Sequence, residues 1–251
     1  MTKGLSYQKG IIFFGRRFAG GAHVEAGKIQ TWTAPLTIKT LWKAVRYVFG
    51  SLPWWYKGTA FFLCGAILLS QSGLWLTWNV PNLPWYVLVL FFFGSHFMFP
   101  KEWKKFHGAE HKLFSCKGNV DRADLTALKR ASITNRYCST NIAFLYFCFL
   151  LMGILMFQFF TGWEKSIAAS AYGSVPASFL SHRILQKRRG ARLREPLLKI
   201  SFFLQRKVTC ADPERIHLLA AIDGYKAFAK QEFPQLPIVE CNKPRTEKEE
   251  L

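Results

Sequence analysis

From Gly58 to Pro100 the chain runs 43 residues without a Lys, Arg, Asp or Glu. Two more such runs follow, 27 residues from Tyr137 to Trp163 and 17 from Ser166 to His182. A helix needs roughly 20 apolar residues to cross the hydrocarbon core of a bilayer, so these runs read as membrane spans. Half of the residues are hydrophobic and 24 are Phe; the mean hydropathy is only +0.08 because basic loops dilute the apolar blocks. The expectation is an all-α integral membrane protein with four transmembrane helices in two hairpins. The first hairpin covers 58–99: Gly58–Trp78, a Pro- and Asn-rich turn at Asn79–Pro84, and a return from Trp85 to Phe99. Trp75, Trp78, Trp85 and Tyr86 cluster at the turn as interfacial aromatics do. The second hairpin covers 141–184, and its last span is rich in Ser, Ala and Gly, a composition suited to close helix packing.

Charge sets the expected topology. Of 34 Lys and Arg, 9 precede the first span, 9 lie in the loop 100–140, 15 lie in the tail from His182, and Lys165 alone lies in a predicted turn. With four crossings every basic segment falls on one side, which the positive-inside rule makes the cytoplasm. Both termini are then cytoplasmic, and the net charge of +19 implies contact with anionic membrane lipids and with other membrane proteins. No aromatic-basic recognition motif accompanies the charge, so no specific nucleic-acid partner is expected.

The segment 1–57 is too long and basic for a signal peptide, and Ile11-Ile12-Phe13-Phe14 is too short an apolar core. Phe18–Gly27 reads as a Gly-rich turn. Leu36–Phe49 reads as an amphipathic helix with Lys39, Lys43 and Arg46 on its polar face, lying on a membrane surface or packed against the bundle. After the last span, 185–232 holds the basic run Gln186–Arg194, a second amphipathic helix over Pro196–Val208, and a helix Arg215–Glu232 opened by Asp212-Pro213-Glu214. The residues 233–251 read as a disordered tail.

The loop 100–140 carries the candidate chemistry. Phe106-His107-Gly108-Ala109-Glu110-His111-Lys112 contains H-x-x-E-H. On a helix the two His project from one face. Two imidazoles and a carboxylate at that spacing match the inverted zincin pattern, in which the His residues bind zinc and the Glu activates water. His107 and His111 are candidate ligands of zinc or another divalent metal, and Glu110 the candidate general base. A third ligand is needed, and Cys138 is the first choice because it falls just before the third span; Glu25, Glu195 and Glu214 follow. Cys116 is a second nearby thiol, whereas Cys64 and Cys148 fall inside spans and read as packing residues. The bland alternative is a polar helix at the membrane interface whose His residues hydrogen-bond to neighbours.

Several stretches together resemble a known family. They are Gly20-Gly21-Ala22-His23-Val24-Glu25-Ala26-Gly27, Phe106–Lys112, Cys138 with Thr140, and Gln205 with Thr209 to Pro213. In this order they resemble the motifs of the YqhQ-like family, bacterial membrane proteins of unknown function expected to be metal-dependent enzymes. The resemblance implies the bacterial cytoplasmic (inner) membrane and a metal site at the cytoplasmic face. Asn135 stands where the family pattern has His, Tyr137 where it has Arg, Ser139 where it has Gly, and Ala211-Asp212 where it has Arg-Glu. Two functions remain open: a metal-dependent hydrolase, or a non-catalytic membrane scaffold or biogenesis factor.

Overall fold

The N-terminal segment builds a sheet. β1 (Lys3–Tyr7), β2 (Gly10–Phe14), β3 (Phe18–Glu25) and β4 (Lys28–Pro35) form an antiparallel meander in the order β1-β2-β3-β4. The run Ile11-Ile12-Phe13 is buried on both faces of it. A short apolar run of this kind is what a doubly covered strand requires, and successive side chains point to opposite faces. Ile11 and Phe13 enter one core, and Ile12 joins Tyr7 in another.

The computed structural model describes residues 2–72, 83–116, 122, 125–187 and 191–235, with backbone alone for 191–193. The chain divides into two units. One comprises Met1–Leu52, Phe99–Arg136 and Phe202–Leu251, and the other Pro53–Met98 and Tyr137–Ser201.

In the first unit the sheet is covered on both faces. α1 (Ile38–Ser51) covers one with Ala44, Tyr47 and Val48, against Tyr7, Ile12 and Trp32. On the other lie α4 (Lys101–Ser115) and α9 (Arg215–Glu232), which bury Phe106, Leu113, Leu218, Ile222 and Phe228 around Ile11 and Phe13. Leu128 of the short α5 (Leu125–Arg130) joins this core. The predicted Gly-rich turn at Phe18–Gly27 is mostly strand β3. Gly224 lets α9 press on the sheet there: a Cβ on it would sit 2.7 Å from the Ala22 nitrogen, and one on Gly20 would sit 3.2 Å from the Phe228 Cβ.

The second unit holds α2 (Trp54–Gln71), α3 (Tyr86–Ser95), α6 (Ser139–Thr161), α7 (Trp163–Leu185) and most of α8 (Ala191–Leu204). Ser166, Ser170, Ser174 and Ser178 are buried at every fourth position of α7. They form one narrow face, and Ser170 lies so close to α6 that a Cβ on Gly153 would meet its hydroxyl at 2.6 Å. Tyr146 stacks on Phe93 with ring centroids 3.9 Å apart.

The four-span, all-α expectation is overturned by the four-stranded sheet and by the helices themselves. Among the described residues, α6 alone is long and apolar enough to cross a membrane. α3 has 10 residues, which at 1.5 Å each span roughly half of the hydrocarbon core. α2 and α7 have the length but not the hydropathy: Trp, Tyr and Lys open α2, and serines stud α7. A charge-free run is not the same as an apolar one. The parity argument for both ends being cytoplasmic required four crossings and falls with them. Most of the predicted Asn79–Pro84 turn and most of the tail 233–251 lie outside the described residues.

Glu232 closes the first unit. Its carboxylate accepts backbone N–H bonds from Arg16, Arg17 and Phe18 at 2.8, 3.1 and 2.8 Å. Burial pushes its pKa up, but the three donors and Arg17 outweigh burial and hold it below the usual carboxylate range. A depressed folded pKa contributes stability above the unfolded value and loses it as pH falls through the folded one. Glu232→Gln should therefore destabilise the full chain near neutrality by about 1–3 kcal/mol. The deficit should shrink as pH falls out of the usual carboxylate range and through the lowered pKa of the folded Glu232. Thermal unfolding of both proteins between pH 3 and 7 checks this; parallel curves contradict it.

Candidate metal centre

α4 is polar in composition yet buried almost all round. Every residue from Lys105 to Leu113 is buried. The sheet, α9 and two irregular segments enclose it, so its polar side chains must find partners inside the protein. Lys105 donates to Glu102 at 2.7 Å and to Glu214 at 2.5 Å. The Glu102 bond first, and then the Glu214 bond, raise its pKa. Lys112 donates to the carbonyls of Lys129 (2.7 Å) and Ala131 (3.1 Å), while burial pushes its pKa down and Asp212 only partly offsets this. Ser115 donates to the carbonyls of His111 and Ser132, each at 3.1 Å.

The two motif histidines lie side by side, with ring centroids 4.3 Å apart and ring planes tilted by 53°. His111 Nδ1 is 2.7 Å from the Ile133 carbonyl. A carbonyl can only accept, so Nδ1 carries the proton, and in a neutral ring the lone pair belongs to Nε2. This is the outer contact that orients a metal-ligating His. His107 Nδ1 is 2.9 Å from Ser6 Oγ on β1. The third group is Cys210, whose Sγ lies 3.5 Å from His111 Nδ1. The potential ligand atoms of His107, His111 and Cys210 all lie within 4.8 Å of one another, and all three residues are buried. Tetrahedral coordination separates nitrogen and sulfur donors by roughly 3.3–3.8 Å, so a group spread over up to 4.8 Å would have to close in to share an ion.

Glu110 completes the group. It is buried, and its Oε2 has no hydrogen-bond partner among the described residues. The nearest cationic candidate is His107 Nδ1 at 3.6 Å, beyond hydrogen-bond length. β1 passes so close that a Cβ on Gly4 would collide with the Glu110 carboxylate.

Cys210 arrives through local backbone geometry. α8 ends in a π-helical turn, Gln205–Thr209, a distortion frequently found at functional sites. Gln205 there clamps the backbone of Asn135, accepting from its N–H at 2.8 Å and donating to its carbonyl at 3.1 Å. The chain then crosses α4, where the Ala211 N–H donates to the Lys104 carbonyl at 3.0 Å. Gly108 permits the crossing, because a Cβ there would stand 2.4 Å from the Ala211 carbonyl oxygen.

The structure brings His107, His111 and Glu110 together as the motif implied, and adds Cys210. Cys138 belongs to the other unit, where it caps α6 and its Sγ accepts from the Thr140 N–H at 3.4 Å. Glu214 pairs with Lys105, and Glu195 with Lys199 at 2.8 Å. Glu25 is exposed at the end of β3, and Asn135 meets Gln205 through its backbone. The sequence signal for Cys210 lay in the Thr209–Pro213 stretch, which contains it.

A small α+β unit with a buried His-His-Cys group and an adjacent carboxylate, together with a helical unit carrying a helix of membrane-spanning length, defines the class. Residues 12–231 match the sequence model of the family described as "Protein of unknown function (DUF1385)", and the chain belongs to that family. The YqhQ-like motifs name the same family. No curated protein and no solved structure matches the chain.

Gly108→Ala should force the Ala211 segment away from α4. Overpacking of this kind costs about 1–3 kcal/mol. Cys210 should then react faster with a thiol reagent than in the wild type, and thermal unfolding should come earlier. Unchanged reactivity and unchanged unfolding would contradict the crossing described above.

Proposed function

We propose that this chain is a membrane-associated metalloenzyme of hydrolase type, with His107, His111 and Cys210 as the metal ligands and Glu110 as the general base. The observation that carries the reading is the buried, unpartnered Glu110 oxygen beside two imidazoles and a thiol. A buried carboxylate oxygen without a partner is costly unless a cation is nearby. Two imidazoles and a thiolate suit zinc, which takes nitrogen and sulfur donors in one tetrahedral site. Bound there, zinc would supply Lewis acidity and a nucleophilic water near neutral pH.

The chain's own residues supply the rest. Ile133 and Ser6 hold the two imidazoles at Nδ1. The Gln205 clamp and the Gly108 crossing set the thiol. Glu110, acceptor-only when ionised, takes a proton from a bound water and delivers it to a leaving group. The outward-facing apolar residues of α6, among them Leu151, Leu155, Phe159 and Phe160, support attachment to a bilayer. The substrate class that fits is one presented at a membrane.

A structural role is the second reading, favoured by one observation. His111, Lys112 and Ser115 all brace the loop 129–133 through its carbonyls. His107, if protonated, then neutralises Glu110 across 3.6 Å.

Metal analysis of the purified full chain separates the two. The enzyme reading predicts about one zinc per chain, lost in Cys210→Ala and in His107→Ala/His111→Ala. Glu110→Gln should keep the metal and lose roughly 100-fold or more of any hydrolytic activity. Metal-free protein that stays folded after incubation with zinc supports the bracing role instead.

A further inference from the structure

We propose that α1 is a preformed membrane-docking helix that lays its outer apolar sector into the headgroup region of an anionic lipid bilayer. The surface of this helix falls into three sectors. Thr40, Ala44, Tyr47 and Val48 face the sheet, with Ala44 in its second core. Thr37 caps the helix, and Thr40 Oγ1 donates to the Pro35 carbonyl at 2.6 Å. The helix is therefore held folded by the protein, not by the lipid.

The second sector is apolar and largely exposed. Ile38, Leu41, Trp42, Val45 and Phe49 are 85%, 47%, 70%, 53% and 44% exposed. They recur at the i, i+3, i+4, i+7 and i+11 positions of one helical face. The third sector, Lys39, Lys43 and Arg46, borders the second along one side, and α1 contains no acidic residue. Lys43 is spoken for in part, its ammonium lying 4.5 Å over the Trp32 ring. Lys39 and Arg46 are exposed.

This pattern selects the occupant. A protein groove that buried five large apolar side chains would have no use for a continuous cationic border. A bilayer surface matches both sectors: acyl chains take the apolar face and anionic headgroups take the border. Trp42, with its apolar body and polar N–H, suits the boundary between them. The same chain carries α6, long and apolar enough to cross a membrane. Docking by the outer face of α1 requires no bound metal.

The test places a fluorescent non-natural amino acid at position 42 of the full chain, in nanodiscs of phosphatidylcholine with or without phosphatidylglycerol. Quenching by a nitroxide-bearing lipid is expected at position 42, stronger with phosphatidylglycerol present. Leu41→Ser/Val45→Ser should lose that quenching, and Lys39→Glu/Arg46→Glu should lose its dependence on anionic lipid. Quenching by aqueous iodide with none from the lipid, in both lipid compositions, overturns the proposal. Protection from iodide that follows the number of chains per disc, and not lipid charge, assigns the sector to a second copy and also overturns it. So does failure of the chain to associate with the discs.

Discussion

The crossing of Ala211 over Gly108 is the contact on which the candidate centre depends. It brings a thiol from one end of the sequence to a helix from the middle, where the Ala211 N–H bonds to the Lys104 carbonyl. Any larger side chain at position 108 would hold the two backbones apart. With the crossing in place, α4 is surrounded, and the motif residues no longer have water to solvate them. Each must then be paired inside the protein or leave a buried polar group unpaired, at a cost of about 1–3 kcal/mol for a neutral one and more for a charge.

That accounting is nearly complete. Lys105, His107, His111, Lys112 and Ser115 all have partners within bonding distance. The exception is one oxygen of Glu110. Exceptions of this kind mark places where a protein gives up stability for chemistry. Here the exception sits beside the three groups able to hold a metal. The same side chains that brace the loop also fix the imidazoles, so bracing and ligation are compatible uses of one arrangement.

The motif was legible because H-x-x-E-H is a local pattern: helical spacing alone puts His107 and His111 on one face and Glu110 beside them. Cys210 was not, because its approach depends on a π-helical turn and on a missing Cβ, neither of which has a periodic signature. Cys138 drew attention by its place before an apolar segment, but sequence proximity to a span says nothing about which unit a residue joins. The sheet was hidden for a related reason. Ile11-Ile12-Phe13-Phe14 has no alternation, because both faces of β2 are covered, and its glycine-rich neighbour β3 looked like a turn until α9 was seen to press against it. The close packing of α7 was readable from its Ser, Ala and Gly content, though not the single face its buried serines form. Charge-free length overstated the number of crossings, because Ser, Gln, Asn, Trp and Tyr carry no charge and still lower hydropathy.

The most direct measurement is the X-ray absorption spectrum of the zinc-loaded full chain at the metal's K edge. The account predicts a mixed shell with nitrogen or oxygen scatterers at roughly 2.0–2.1 Å and one sulfur at roughly 2.3 Å. Cys210→Ser should remove the sulfur and leave the nitrogen signal. A shell with no sulfur, or one whose sulfur survives that substitution, would contradict a centre built from His107, His111 and Cys210.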